Sequence, residues 1–194
     1  MVLFLEFTLQ FCLGETPLKL VLVRHGKSIN NALGVVSGRS QDKLTREGIR
    51  QAEEVAKTLD TDFDIIFSSV LRRAKQTAGI INRRLKLPIE TRLDLNERDY
   101  GVLTGQNWDA ISALVGPDAK ERDRGLRYNY GPWGGEWVVE VRDRVLSFLN
   151  DLIVRRRKKY IAVTHGGIIM LMYNVTGKPL PAKIPNCSVH EFEI

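Results

Sequence analysis

His25 and His165 each close a run of apolar residues and each precede glycine, in Leu20-Val21-Leu22-Val23-Arg24-His25-Gly26 and Tyr160-Ile161-Ala162-Val163-Thr164-His165-Gly166-Gly167. An imidazole is a base or nucleophile near neutral pH. One histidine in that context reads as a satisfied turn residue. Two of them, in a chain with only 3 histidines, point to a shared site. Arg24 adds a fixed cation, and Arg72 and Arg73 follow Ser68-Ser69. The planar fork of arginine matches phosphate oxygens in a bidentate way that lysine cannot. Glu97 lies in a polar loop and has the chemistry of a general acid. Imidazoles, arginines and one carboxyl make an anion pocket with a proton donor. His25, His165 and Glu97 are also permissible zinc ligands. The neighbouring arginines would repel a dication, so no metal is expected.

These residues need elements that converge. Short apolar runs bounded by glycine are the pattern of central strands in a parallel sheet. Lys19–Val23, Ile65-Ile66-Phe67 and Tyr160–Val163 read this way, and Ser188–Ile194 reads as a last edge strand. Between them, helices are expected from Thr45 to about Leu59, Val70 to Leu85, Glu136 to about Val154 and Ile168 to about Val175. Strands alternating with helices give an α/β fold with a mainly parallel sheet. Its ligand edge lies beyond the carboxyl ends of the strands, where His25 and His165 fall. A helix beginning after Ser68-Ser69 would also aim free amides and a positive dipole end at a phosphate there. Lys27–Lys43 reads as a loop with one short helical turn. Gly105–Gly135 reads as an irregular, substrate-facing lid that carries Trp108, Tyr128, Tyr130 and Trp133.

Composition is that of ordinary globular material, 43% hydrophobic and 27% charged over 194 residues. The net charge of +6 suits an anionic substrate, nucleic acid or simple solubility and does not choose among them. Cys12 and Cys187 cannot build a disulfide framework. The apolar start of the chain is too short to span a bilayer and carries Glu6 without an early Lys or Arg, so a cytoplasmic protein without membrane association is expected. The alternating Asp60, Asp62 and Asp64 read as a solvated turn rather than a calcium loop.

Taken together and in order, these segments resemble the histidine phosphatase superfamily, also called the phosphoglycerate mutase-like family. Arg24-His25-Gly26 with Ser28 and Asn30 is similar to its first signature. Ser68–Ala78 resembles the second, Leu95–Arg98 with Tyr100-Gly101 the acid-bearing motif, and Thr164–Gly167 the second-histidine motif. The resemblance implies a three-layer α/β/α fold over residues 18–194, with a lid-like segment at about 102–135. Residues 1–17 are then an appendage of unknown role. It further implies that His25 attacks phosphorus and that Arg24, Arg73 and His165 hold the phosphoryl oxygens. Glu97 would protonate the leaving oxygen and then activate water. It selects Arg73 over Arg72, a choice that spacing leaves open. Ser28, Asn30, Gly38, Arg39, Tyr100 and Gly166 would complete the substrate pocket, with no metal or organic cofactor. Lys27 and Trp137 depart from the family pattern and are expected to reshape the rim of the site.

Mutases of this kind are usually longer, with insertions that exclude water. The compact stretch between Tyr100 and Gly134 therefore favours a phosphatase acting on a small phosphorylated metabolite, as monomer or homodimer. Arg122, Arg124 and Arg127 are candidates to face an anionic substrate, although a solvated charged loop is the simpler reading. A cofactor-dependent phosphoglycerate mutase is the alternative. A binding protein that uses the basic run Arg155–Lys159 is an alternative of another class. That run suits the negative end of a helix, and no aromatic-and-basic motif accompanies it, so no nucleic-acid partner is expected.

Overall fold

Alternation along the first strand sets the architecture. In the computed structural model, which describes residues 18–155 and 159–194, β1 (Lys19–Arg24) turns Leu20 and Leu22 to one face of the sheet and Val21 and Val23 to the other. Both faces must then be covered. On one side lie α2 (Arg46–Thr58) and α3 (Arg72–Leu85), which bury Ala52, Val55, Ala74, Ala78 and Ile81 against Val21, Val23, Ile66, Ile161 and Val163. On the other lie α6 (Val138–Val154) and α7 (Gly166–Val175), which pack Val141, Val145, Phe148, Ile168 and Met172 against Leu20, Leu22, Phe67 and Tyr160. The fold is the expected three-layer α/β/α arrangement.

The five-stranded sheet has the order β3-β2-β4-β1-β5, with β2 at Ile65–Ser69, β3 at Ile89–Arg92, β4 at Lys159–Thr164 and β5 at Val189–Glu193. The first four strands run parallel, and β5 pairs antiparallel with β1. Register places Arg24 opposite Thr164 and Ser68 opposite Val163. Parallel direction and this register put His25, His165 and Ser69 on one edge. Topology alone therefore gathers His25 and His165, which are 140 residues apart in sequence.

Two stretches differ from expectation. α3 starts at Arg72 rather than Val70, because the Val70 and Leu71 amides are taken by the Asn96 and Ser69 side chains. The Arg72 amide in turn donates to Gln41 Oε1 at 3.0 Å. These amides serve the protein, so the expected phosphate site at this helix end is not formed by them. The stretch 105–135 is not irregular but holds α4 (Trp108–Val115) and α5 (Ala119–Arg124). Tyr128 and Tyr130 within it are core residues, only 4% and 1% exposed, rather than substrate-facing. The short helical turn expected near the first loop is α1 (Ile29–Leu33), closed by a reciprocal cap between Ser28 and Asn31.

Asp60 and Asp62 form ion pairs with Lys159 at the surface. Of the basic run, Arg155 pairs with Glu90 and Asp151, and residues 156–158 lie outside the described residues. The expectation for residues 1–17 also lies outside them. Among the described residues, no helix is long and apolar enough to cross a membrane.

Candidate active site

The carboxyl edge of the sheet opens into a cavity of about 570 Å³ lined by Arg24, His25, Gly38, Arg73, Glu97, Tyr100 and Gly166, among others. That size falls within the range of small-molecule sites, about 300–1,000 Å³. Its outer wall is the lid, through Trp108, Lys120 and Arg124, and a proline-rich strap from Leu180 to Pro185.

His25 is 3% exposed. Its Nδ1 lies 2.8 Å from the Gly26 carbonyl, which can only accept, so Nδ1 carries the proton. Nε2 is then left with its lone pair, and Arg73 Nε–H donates to it at 3.2 Å. Burial, reinforced by the like charges of Arg73 and Arg24, pushes this imidazole well below the usual histidine range. The arrangement is a neutral nitrogen nucleophile aimed into a cationic pocket.

His165 has the same sequence context and a different environment. Ser69 Oγ donates to Asn96 Oδ1 at 2.8 Å and accepts from the Leu71 amide. Its remaining lone pair takes the proton of His165 Nε2, 2.8 Å away. His165 Nδ1 is buried and has no hydrogen-bond partner. The two rings stand 5.0 Å apart. Burial, then the charges of Arg73 and Arg24, also depress the His165 imidazole well below its ordinary range.

Both histidines therefore fold as neutral groups, while the unfolded chain takes up their protons near pH 6.5. Their contribution to stability is complete above that value and is lost as pH falls below it, because the unfolded state then binds more protons. We expect the thermal midpoint to drop between pH 7 and pH 5.5. The loss should be at most about 1.4 kcal/mol per pH unit for each imidazole. His165→Gln should flatten that slope, and a slope equal to the wild type's would refute this origin.

Arg73 is fully buried and commits most of its donors within the protein. Nη1 donates to the Ser40 carbonyl and to Asp42 Oδ1 at 2.9 and 2.7 Å, and Nη2 to the Gly38 carbonyl at 2.7 Å. Asp42 is thus the anion that anchors the cation beside His25, a partner the sequence analysis missed. The string Gly38-Arg39-Ser40-Gln41-Asp42 offered only loop character. Arg24 reaches the strap, donating from Nη1 to the Ile184 carbonyl, and keeps a buried Nε with no partner. Asn186 Nδ2 donates to the His25 carbonyl at 3.0 Å and to Asn31 Oδ1, tying the Arg24-His25-Gly26 segment to α1.

Glu97 stands on the opposite wall. Its Oε2 accepts from the Gly167 amide at 3.1 Å and its Oε1 from the Arg98 amide at 3.0 Å. A Cβ at position 167 would lie 2.2 Å from Glu97 Oε1, so a side chain there would push the carboxyl out of its place.

The remaining expected pocket residues separate into two groups. Gly38, Tyr100 and Gly166 line the cavity. Ser28, Asn30 and Arg39 are not among its lining residues. Ser28 is spent on capping α1, Asn30 Nδ2 donates to Ser40 Oγ, and Arg39 pairs with Glu136 and Asp99. Asn31, next to Asn30, does line the cavity. Lys27 was expected to reshape the rim. Its amine instead pairs with Glu47 at 2.7 Å, on the α2 side. Trp137 is half-exposed ahead of α6 and also lies off the cavity. Of the lid arginines, Arg124 lines the cavity, while Arg122 pairs with Asp118.

A model of the histidine phosphatase superfamily (branch 1) matches residues 20–194. Among curated proteins, a 2,3-bisphosphoglycerate-dependent phosphoglycerate mutase of Rhizobium etli is 40% identical, with 77% of this chain and 76% of that protein aligned. A metal-independent phosphoserine phosphatase of Arabidopsis thaliana is 31% identical, covering 89% of this chain and 74% of that protein. Among solved structures, a mycobacterial glucosyl-3-phosphoglycerate phosphatase in complex with VO3 superposes with a TM-score of 0.79. It is 26% identical and covers 89% of this chain and 90% of the other.

Proposed function

Because the chain belongs to the histidine phosphatase superfamily, branch 1, we propose that it hydrolyses phosphomonoesters of small metabolites through a phosphohistidine on His25, without a metal. The observation that carries this reading is the unprotonated Nε2 of His25, set by the Gly26 carbonyl and facing the cavity beside Arg73.

A phosphoryl group entering between Arg73 and His25 draws the Arg73 Nε–H to its own oxygen and frees the Nε2 lone pair. Nε2 then attacks phosphorus, the ester P–O bond breaks, and Glu97 gives its proton to the departing alkoxide. Arg24 and Arg73 offset the charge on the equatorial oxygens, the task that a magnesium ion performs in other phosphoryl-transfer sites. In the second half, Glu97 accepts a proton from water as the water oxygen attacks phosphorus. The N–P bond breaks, His25 returns to its neutral form and inorganic phosphate leaves.

Hydrolysis is favoured over transfer to a second substrate position by the lid. Within 102–135 its α-helices are α4 and α5, of 8 and 6 residues, followed by a 3-10 turn at Gly131–Trp133. The solved neighbour cited above is named as a phosphatase. The mutase reading has its own support in the 40% identical curated relative. One experiment separates them, with free phosphate and 2- and 3-phosphoglycerate followed together in EDTA. Phosphate release that persists in EDTA is the expected result. Interconversion stimulated by 2,3-bisphosphoglycerate without net release would establish the mutase instead, and loss of activity in EDTA would refute the metal-free mechanism.

A further inference from the structure

Next to Glu97 on the cavity wall is a further arginine whose charge is already spoken for. Arg98 is 3% exposed and lines the cavity, as does Asp123 of α5. Arg98 Nη2 lies 3.0 Å from Asp123 Oδ2, and its Nη1 points to the Asp123 carbonyl at 3.4 Å. The other carboxylate oxygen of Asp123 accepts from the Tyr130 hydroxyl at 2.8 Å and the Tyr100 hydroxyl at 3.1 Å. The guanidinium is stacked over the Tyr128 ring, 4.8 Å from its centroid. Arg98 Nε is buried and has no hydrogen-bond partner.

An arginine fork in this place suits a substrate carboxylate. It adjoins the group that protonates the leaving oxygen, so it faces the carbons nearest the scissile ester. Here the protein seats its own carboxylate in that fork. Asp123 is only 4% exposed and is held by one cation and two phenols, so it cannot swing out into water when a substrate arrives. A second carboxylate brought to the same place finds the Arg98 fork already neutralised by Asp123 and gains no free cation there to offset its own desolvation, an arrangement that selects against it.

From this geometry we infer that Asp123 is a specificity-determining residue: it fills the carboxylate seat of Arg98 and turns away phosphomonoesters with a carboxylate on or near the phosphate-bearing carbon. The favoured substrates carry a neutral group there, a hydroxyl above all. This inference rests on the phosphatase reading of the same site and narrows it to a substrate class.

Two isosteric pairs test it, glycerol 3-phosphate against 3-phosphoglycerate and glycerol 2-phosphate against 2-phosphoglycerate. Within each pair only a hydroxymethyl and a carboxylate differ. In the wild type, kcat/KM should favour the neutral member by at least about 10-fold in both pairs. In Asp123→Asn, that ratio should contract by at least about 10-fold, chiefly through a gain on the phosphoglycerates. Equal or faster turnover of the phosphoglycerates by the wild type would overturn the inference. So would an unchanged ratio in an Asp123→Asn protein shown by its thermal transition to be folded. Should that variant not fold, the wild-type ratio decides alone. Absence of phosphate release from every substrate, 4-nitrophenyl phosphate included, would refute the phosphatase reading instead. Calorimetric Kd values for the same two pairs on the wild-type protein would then decide the question of selectivity.

Discussion

His25→Ala is expected to lower phosphate release by about 10⁴-fold or more, the scale on which loss of a covalent nucleophile acts. It should also abolish a phosphoenzyme that is labile to acid and stable to alkali, as a P–N bond is. The size of the effect follows from how little else in the cavity can replace the imidazole. His165 is 5.0 Å away, ring centre to ring centre, but its protonated Nε2 is bound to Ser69 and it does not line the cavity. Cys187, also near Arg24, has its thiol pushed up to about 12 by burial and supplies almost no thiolate. Arginines remain, and they bind phosphate without attacking it. The comparison with His165→Ala is therefore informative. That variant should be impaired yet still form a phosphoenzyme, because it loses the ring packed beside His25 and keeps the nucleophile. Residual turnover of His25→Ala near the wild-type level, or a phosphoenzyme that survives the substitution, would overturn the assignment.

Gly167→Ala should act almost as strongly through a single methyl group. The new Cβ would fall 2.2 Å from Glu97 Oε1 and 3.0 Å from Arg98 Cζ, so the carboxyl must leave its place against the first turn of α7. Displacing a general acid–base by about 1 Å costs on the order of 10²-fold, and its full contribution is about 10²–10⁴-fold. The loss should depend on the leaving group. Alkyl phosphates need the proton in the first step and should lose most. With 4-nitrophenyl phosphate, whose alcohol leaves without help, the first step should survive while hydrolysis of the phosphohistidine slows. The expected signature is a burst of about one equivalent of nitrophenol followed by slow turnover. A uniform loss on both substrate types, with no burst, would mean that the methyl group damages the fold rather than the acid–base.

Much of the active edge was legible before any coordinates, for a definite reason. A parallel sheet carries every strand's carboxyl end to one side, so a motif read as strand, polar residue, glycine has a known address. Arg24, His25 and His165 could be placed together from local pattern alone. The layer order followed from the same runs, because strands apolar on both faces require helices on both faces. Resemblance then gave Arg73 and Glu97 their expected roles, and the fold brings both to the cavity.

What the pattern could not carry was partner choice. Ser28 and Asn30 sit beside the active histidine in sequence, yet local backbone geometry spends Ser28 on a helix cap while Asn31 reaches the cavity. Lys27 was expected at the rim and is drawn instead to Glu47, 20 residues on. Asp42 and Asp123 lie in segments with no chemical signature, Asn96 sits in a motif read only for its neighbour Glu97, and each acquires its role through a long-range hydrogen bond to a residue that has one.

The residue types, their strand-end positions and the family are properties of the sequence itself, because they depend on short-range order and on topology. The difference between the two histidines is not. Both precede glycine at the end of an apolar strand, yet Gly26 stays in a loop and offers its carbonyl to His25 Nδ1, while Gly166 opens α7 and His165 Nε2 reaches Ser69, 96 residues away. Those two contacts set which nitrogen holds the proton, and hence which imidazole can attack.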